Sequence, residues 1–236
     1  MSSSKRDREF IIRAENLRKE YKRGRETVDA IKNITLKIDE REFFVFIGPS
    51  GSGKTTLLNL LSGLDKPTEG RVILDGMDLT SIDERILPKI RREKIGFVFQ
   101  DFNLIENMTA LENVMAPLIP TDLKKKEIVA RATEMLRLVD LIERKDHLPK
   151  QMSGGEQQRV AIARALVTHP KVVFADEPTG NLDSKTGADI MKLLKKINKE
   201  KGTTFVVVTH DERIINFADR VAYIEDGEIR KIEKPK

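Results

Sequence analysis

Gly48-Pro49-Ser50-Gly51-Ser52-Gly53-Lys54-Thr55 fits the pattern G-x-x-x-x-G-K-[ST], with Gly48, Gly53, Lys54 and Thr55 at the required places. The apolar run before it, Phe43-Phe44-Val45-Phe46-Ile47, reads as a buried strand. The run after it, from Thr56 through Leu57-Leu58-Asn59-Leu60-Leu61, reads as a helix. Strand, glycine-rich turn and helix in that order point backbone N–H groups at a bound anion. Small Ser50 and Ser52 between the glycines leave room for the backbone to wrap. Lys54 supplies a point charge for terminal phosphates, and the Thr55 hydroxyl suits Mg²⁺. The stretch predicts a nucleoside triphosphate site in an α/β fold.

Composition narrows the rest. In 236 residues, 43 Lys and Arg face 38 Asp and Glu, and 39 % of residues are apolar. That balance is expected of a globular chain able to bury a sizeable core. No apolar run approaches the roughly 18–20 residues that cross a bilayer. Residues 1–9 are polar and charged with no apolar stretch behind them, so they are expected to be disordered rather than a signal peptide. The absence of cysteine excludes disulfides and thiolate metal sites. The net charge of +5 is spread along the chain. Its one compact basic run, Lys124-Lys125-Lys126, opens a predicted helix and reads as a solvated helix end, so no nucleic-acid partner is expected.

Strands are predicted at residues 10–17 and 28–38, a turn at Pro67-Thr68-Glu69-Gly70, and strands at 71–75 and 95–100. Thr109 and Glu112 form a capping box ahead of Ala110. Ile128, Ala132, Met135, Leu136 and Val139 recur at helical spacing. Ser153 and Glu156 form a second capping box, preceded by Gln151-Met152 and followed by Val160-Ala161-Ile162-Ala163. Here two readings stand: an ordinary capped helix, or a helix N-terminus whose Gly154-Gly155 N–H groups hold an anion. Lys171-Val172-Val173-Phe174-Ala175-Asp176-Glu177 is a buried strand ending in two carboxylates. Residues 203–210 form another, ending on His210, and residues 221–229 read as a hairpin. Ser184 is the expected cap of a helix that buries Ile190, Leu193, Leu194 and Ile197.

Ligands of open α/β sheets sit at the carboxyl ends of strands. Three such ends carry Gln100, Asp176-Glu177 and His210, and a fourth strand enters the phosphate loop. Asp176 can hold Mg²⁺ opposite Thr55, with Gln100 as a further metal ligand. Glu177 can polarise the attacking water and His210 can bond the γ-phosphate. Tyr21, in a polar stretch, either packs or stacks on a base.

With these residues in this order, the chain resembles the ATP-binding cassette (ABC) family over residues 10 to 232. The phosphate loop matches Gly48 through Thr55, the glutamine loop Gln100, and the signature Ser153-Gly154-Gly155-Glu156-Gln157. The second acidic motif matches Val172 through Glu177, the D-loop Asn181-Leu182-Asp183, and the switch histidine His210. Tyr21 stands where the family stacks an aromatic on adenine. The resemblance implies a P-loop NTPase core with a mostly parallel sheet flanked by helices and an N-terminal antiparallel β part (residues 10–99 and 160–236). It also implies an α-helical signature subdomain at residues 100–159. It further implies ATP and Mg²⁺ as cofactors; Glu177, His210, Gln100 and Lys54 as catalytic groups; and nucleotide contacts from Tyr21, Gly48 through Thr56 (Pro49 included), Ser153, Gly154, Gly155, Glu156 and Asp183. Two copies would pair head to tail, each signature capping the γ-phosphate held by the other. A separate transmembrane permease would place the chain at the cytoplasmic face of the membrane.

Phe97-Val98-Phe99-Gln100-Asp101-Phe102-Asn103-Leu104, Leu111-Glu112-Asn113-Val114 and Asp176-Glu177-Pro178-Thr179-Gly180 resemble the lipoprotein-release and macrolide-export subgroup. Asp101 departs from the glutamine common there, and Ile105-Glu106-Asn107 replaces the more usual Ile-Pro. The implied work is export or extraction of a hydrophobic or lipidated substrate. Phe102, Leu104 and Ile105 either meet the permease or pack into the helical part. The competing class, a chromosome or DNA-repair ATPase of the same superfamily, carries coiled-coil or zinc-bearing insertions; residues 100–153 hold neither sustained heptads nor cysteine.

Overall fold

Phe43–Ile47 forms strand β3 with every residue buried, so both of its faces are covered, as a parallel sheet between layers requires. The computed structural model describes residues 10–24 and 26–235; the disorder expected of residues 1–9 lies outside them. β3 runs parallel to β8 (Thr204–Thr209) on one side and β9 (Arg220–Glu225) on the other. β7 (Val172–Asp176) and β6 (Ile95–Val98) extend the parallel set. β10 (Glu228–Glu233) folds back on β9 through Asp226-Gly227, both at positive φ, completing the hairpin. Among the described residues this gives one sheet in the order β10-β9-β3-β8-β7-β6. The second sheet is antiparallel: β1 (Phe10–Arg23), β2 (Glu26–Asp39), β4 (Glu69–Leu74) and β5 (Met77–Asp78) in the order β2-β1-β4-β5.

The alternation of strand side chains divides the core in two. Phe44, Phe46, Phe174, Val206 and Val208 face the antiparallel sheet and helix α1 (Lys54–Leu61). Phe43, Val45, Phe205 and Val207 face the helical side, where α3 (Ala110–Met115), α4 (Lys125–Leu138), α5 (Gly154–Leu166) and α6 (Ser184–Lys201) gather; α2 (Leu87–Lys94) lies on the other side. α5 lies against β6 because Gly96 has no side chain: a Cβ there would stand 2.3 Å from the Ala165 carbonyl. Both predicted capping boxes form, at Thr109 and Ser153. Ile128, Ala132, Met135, Leu136 and Val139 are buried, while Lys124, Lys125 and Lys126 are exposed. Buried Glu42 is held by Arg220 in a bidentate pair, Nη2 at 2.8 Å.

Several boundaries move. β1 continues past Leu17 to Arg23 because β2 pairs along its whole length, with the register shifting at bulges. Glu69 and Gly70, expected in a turn, already belong to β4. Gly70 sits at φ 85 where a Cβ would be 2.4 Å from the Asn16 carbonyl, a cross-strand approach only glycine permits. Asp183, not Ser184, caps α6; its carboxylate accepts from the N–H groups of Lys185 and Thr186, each at 3.0 Å. β6 ends at Val98, two residues before Gln100, β7 ends at Asp176, and β8 stops at Thr209.

Candidate functional site

The parallel strands β3, β8, β7 and β6 point their carboxyl ends the same way, so the segments that follow them meet at one edge of the sheet. There a cleft of about 730 Å³ is lined by Pro49, Ser50, Gly51, Gly53, Lys54, Thr55, Thr56, Gln100, Asp176, Glu177 and His210. Val28, Asp29 and Ala30 of β2 and Gly227 of the β9–β10 turn complete its wall. These four carry no sequence signal, because only the packing of the antiparallel sheet brings them here.

The loop after β3 is held by close backbone contacts. A Cβ on Gly48 would stand 2.1 Å from the Ile224 carbonyl, and one on Gly53, at φ 100, 2.6 Å from that of Ala30. Lys54 is buried and its Nζ donates to the carbonyls of Gly48 and Pro49, both at 2.8 Å. Burial pulls its pKa down, against the opposing pull of Glu177 and Asp176. Burial likewise pushes Asp176 above the usual carboxylate range, and the neighbouring Glu177 adds to this. The Thr55 hydroxyl donates to Asp176 Oδ1 at 3.3 Å. The buried Ser52 hydroxyl has no partner among the described residues.

These groups fit a triphosphate with its cation. An anion would relieve the buried ammonium, and a divalent cation the buried carboxylate. Thr55 and Asp176 offer only oxygen, the ligand Mg²⁺ takes. Among the described residues no three His, Cys, Asp or Glu form a metal-holding cluster. That agrees with an ion that draws its remaining ligands from phosphate and water.

Glu177 leaves the strand at φ 45, its N–H bonded to the Val208 carbonyl at 2.9 Å. This turn aims its carboxylate across β8. Oε2 accepts from the Thr209 hydroxyl at 2.9 Å and the His210 N–H at 3.3 Å, and His210 Nδ1 lies 2.8 Å from Oε1. Glu177 is thereby fixed from three directions, while the His210 ring remains largely exposed. Thr209 was not apparent from sequence; only its place before the histidine could have suggested it.

Gln100 lines the cleft with its amide turned to the D-loop: Nε2 donates to Asn181 Oδ1 at 3.2 Å. Asn181 Nδ2 in turn donates to the Gln100 carbonyl at 3.1 Å and to Asp101 Oδ1 at 2.8 Å. Tyr21 is exposed on β1, its hydroxyl donating to Asp65 Oδ2 at 2.7 Å and interacting with the Thr56 side chain. Tyr21, Ser153, Gly154, Gly155, Glu156 and Asp183 do not line the cleft. Ser153 and Glu156 satisfy each other: the Ser153 N–H donates to Glu156 Oε2 at 2.8 Å and the Glu156 N–H to Ser153 Oγ at 3.3 Å. Gly154 and Gly155 face Leu182 and Thr186 at the start of α6.

The ABC transporter family profile matches residues 31–180. MJ0796, an ABC transporter ATP-binding protein of Methanocaldococcus jannaschii, is 53 % identical over 228 residues, 95 % of this chain and 97 % of its own. The macrolide export ATP-binding/permease protein MacB of Rhodopirellula baltica is 48 % identical over 219 residues, 92 % of this chain but 32 % of that protein. A dimeric post-hydrolysis structure of MJ0796 bound to ADP and Pi superposes with a TM-score of 0.87 at 51 % identity, covering 95 % of this chain and 99 % of that one. CbiO1 of Clostridium perfringens, part of the ABC transporter complex cbiONQ, superposes with a TM-score of 0.87 at 33 % identity, covering 96 % and 89 %.

Proposed function

The chain belongs to the ABC transporter family as its ATP-binding, ATP-hydrolysing cassette, and from that premise we propose that two copies close head to tail around two Mg²⁺–ATP and drive a membrane permease carried on another polypeptide. In this reading the loop from Gly48 to Thr56 grips the phosphates, with Lys54 on the terminal ones. Thr55, Asp176 and Gln100 would hold a Mg²⁺, which when bound would supply positive charge against the phosphate oxygens. Glu177 orients the water that attacks the γ-phosphorus, and His210 keeps the Glu177 carboxylate in place while bonding the departing phosphate. Tyr21 stacks on the base. Ser153, Gly154, Gly155 and Glu156, with Asp183 beside them, act on the nucleotide held by the other copy.

One observation carries the shared-site reading: Lys54, Thr55, Gln100, Asp176, Glu177 and His210 line one cleft, and the signature helix tip of the same chain lies outside it. An α-helix N-terminus is an anion site; here the chain's own Glu156 carboxylate takes up only the Ser153 groups, which leaves the Gly154 and Gly155 N–H groups for a phosphate of the other copy. The dimeric MJ0796 structures support the pairing. Among the described residues no helix is long and apolar enough to cross a membrane; in this reading the permease is another polypeptide and this chain sits on its cytoplasmic side. A groove of about 730 Å³ lined by Asp101, Asn103, Leu104, Glu106, Asn107 and Leu148, with exposed Ile105 beside it, is where we dock the permease. Phe102, by contrast, packs near Gly154. The name of the MacB relative, a macrolide export protein, favours export; the hydrophobic or lipidated substrate is carried over from the subgroup resemblance.

Glu177→Gln tests this. The variant should bind ATP, stall hydrolysis and elute as a dimer with ATP and Mg²⁺. A variant that stays monomeric under those conditions contradicts the shared site.

A further inference from the structure

The exposed ring of Tyr21 is held more firmly than its place on an edge of the molecule requires. Lys19 and Tyr21 stand two residues apart on β1 and so share a face. Asp65 lies just past the end of α1, anchored by its own N–H to the Asn59 carbonyl at 3.1 Å. Its Oδ2 accepts from the Tyr21 hydroxyl and its Oδ1 from Lys19 Nζ, both at 2.7 Å. Lys19 Nζ also donates to the Lys66 carbonyl at 2.6 Å and stands 4.9 Å from the centroid of the Tyr21 ring. A cation thus sits against the ring, and the hydroxyl is pinned to the loop that continues the phosphate-loop helix.

We infer that Asp65, with Lys19, is a positioning residue that holds Tyr21 in the orientation on which a nucleobase stacks, and so sets affinity for the base without touching the grip on phosphate or the cleavage step. This rests on the reading of Tyr21 as the base platform. A free tyrosine would have to be immobilised as the base arrives; one already fixed carries no such cost. Because α1 starts at Lys54 and leads directly to Asp65, the same rigid element ties platform and phosphate loop at a constant spacing.

The probes are an N-methylanthraniloyl derivative of ATP, which carries a base, and inorganic tripolyphosphate, which does not. Asp65→Ala should weaken the ATP derivative about five- to tenfold, the size of one hydrogen bond. It should leave tripolyphosphate affinity and kcat at saturating ATP as in the wild type. Asp65→Asn, which keeps an acceptor for the hydroxyl, should recover most of the loss. Tyr21→Phe should match Asp65→Ala, and the double variant should be no weaker than either, as two residues acting through one contact require. Unchanged affinity for the ATP derivative in Asp65→Ala overturns the inference, as does an equal loss for tripolyphosphate, which would mean α1 itself had shifted. If instead Tyr21→Ala binds ATP as tightly as the wild type, the platform reading itself has failed.

Discussion

The carboxyl edge of the large sheet and the N-terminal tip of α5 both suit negative charge, yet they stand in opposite states. At the sheet edge, groups are left wanting: Lys54 is an ammonium weakened by burial, Asp176 a carboxylate raised by it, and the Ser52 hydroxyl has no partner among the described residues. At the helix tip the side chains are already paired, and only the Gly154 and Gly155 N–H groups stand open. Ser153 and Glu156 satisfy one another, and the Ser153 N–H, with the side-chain hydroxyl, holds the Glu156 carboxyl below its usual range against the upward push of burial. The first region is electrostatically tense without its ligand and is assembled wholly within one chain. The second has its side chains paired, and in the proposed pairing a phosphate reaches it from the other copy. A dimeric ATPase needs this division, since a tip that bound its own nucleotide would leave nothing to close the pair.

The largest effect should come from removing the tension at the edge. Lys54→Ala should lower turnover about a thousandfold, the upper range for deleting one donor to a charged transition state, and should weaken ATP binding in the isolated chain as well. Isothermal titration and phosphate release measure both. Ser153→Asp separates the two regions more sharply. Aspartate caps a helix as well as serine does, so melting temperature and the nucleotide affinity of a single chain should hold. Turnover should nevertheless fall about a hundredfold, because a carboxylate would now face the other copy's γ-phosphate. A parallel loss of single-chain affinity would erase the distinction drawn here.

A smaller effect probes Tyr21, the proposed platform for the base. Burial, then the bond to Asp65, pushes Tyr21 up to about 12 from an ordinary 10.0. A raised phenol pKa stabilises the fold fully below the unfolded value; that contribution shrinks as pH rises above about 10 and is gone beyond about 12. The chain has two tyrosines and no tryptophan, so absorbance near 295 nm reads ionisation cleanly. Tyr21 should ionise late, and Asp65→Ala should bring it forward.

What was legible in the sequence was what depends on short spacing. Gly48 through Thr55, the box at Thr109 and Glu112, and the box at Ser153 and Glu156 are local patterns, and each forms as read. The cap of α6 was read one residue late because Asp183 and Ser184 are both good capping types; the carboxylate reaches two N–H groups and takes the role. Glu177 was visible as an acid after a strand, but not its turn at φ 45, which lets Thr209 and His210 hold it. Asn181 on Gln100, Asp65 on Tyr21, and Val28, Asp29 and Ala30 in the cleft wall could not be read. Each is a contact across sheets or loops far apart in the chain, fixed only by strand order.

The most direct measurement of the shared-site claim is a crystal structure of Glu177→Gln with ATP and Mg²⁺. Ser153 of each copy should lie in hydrogen-bond contact with the γ-phosphate gripped by Lys54 of the other. A structure in which every γ-phosphate is bound with no Ser153 near it would contradict the account.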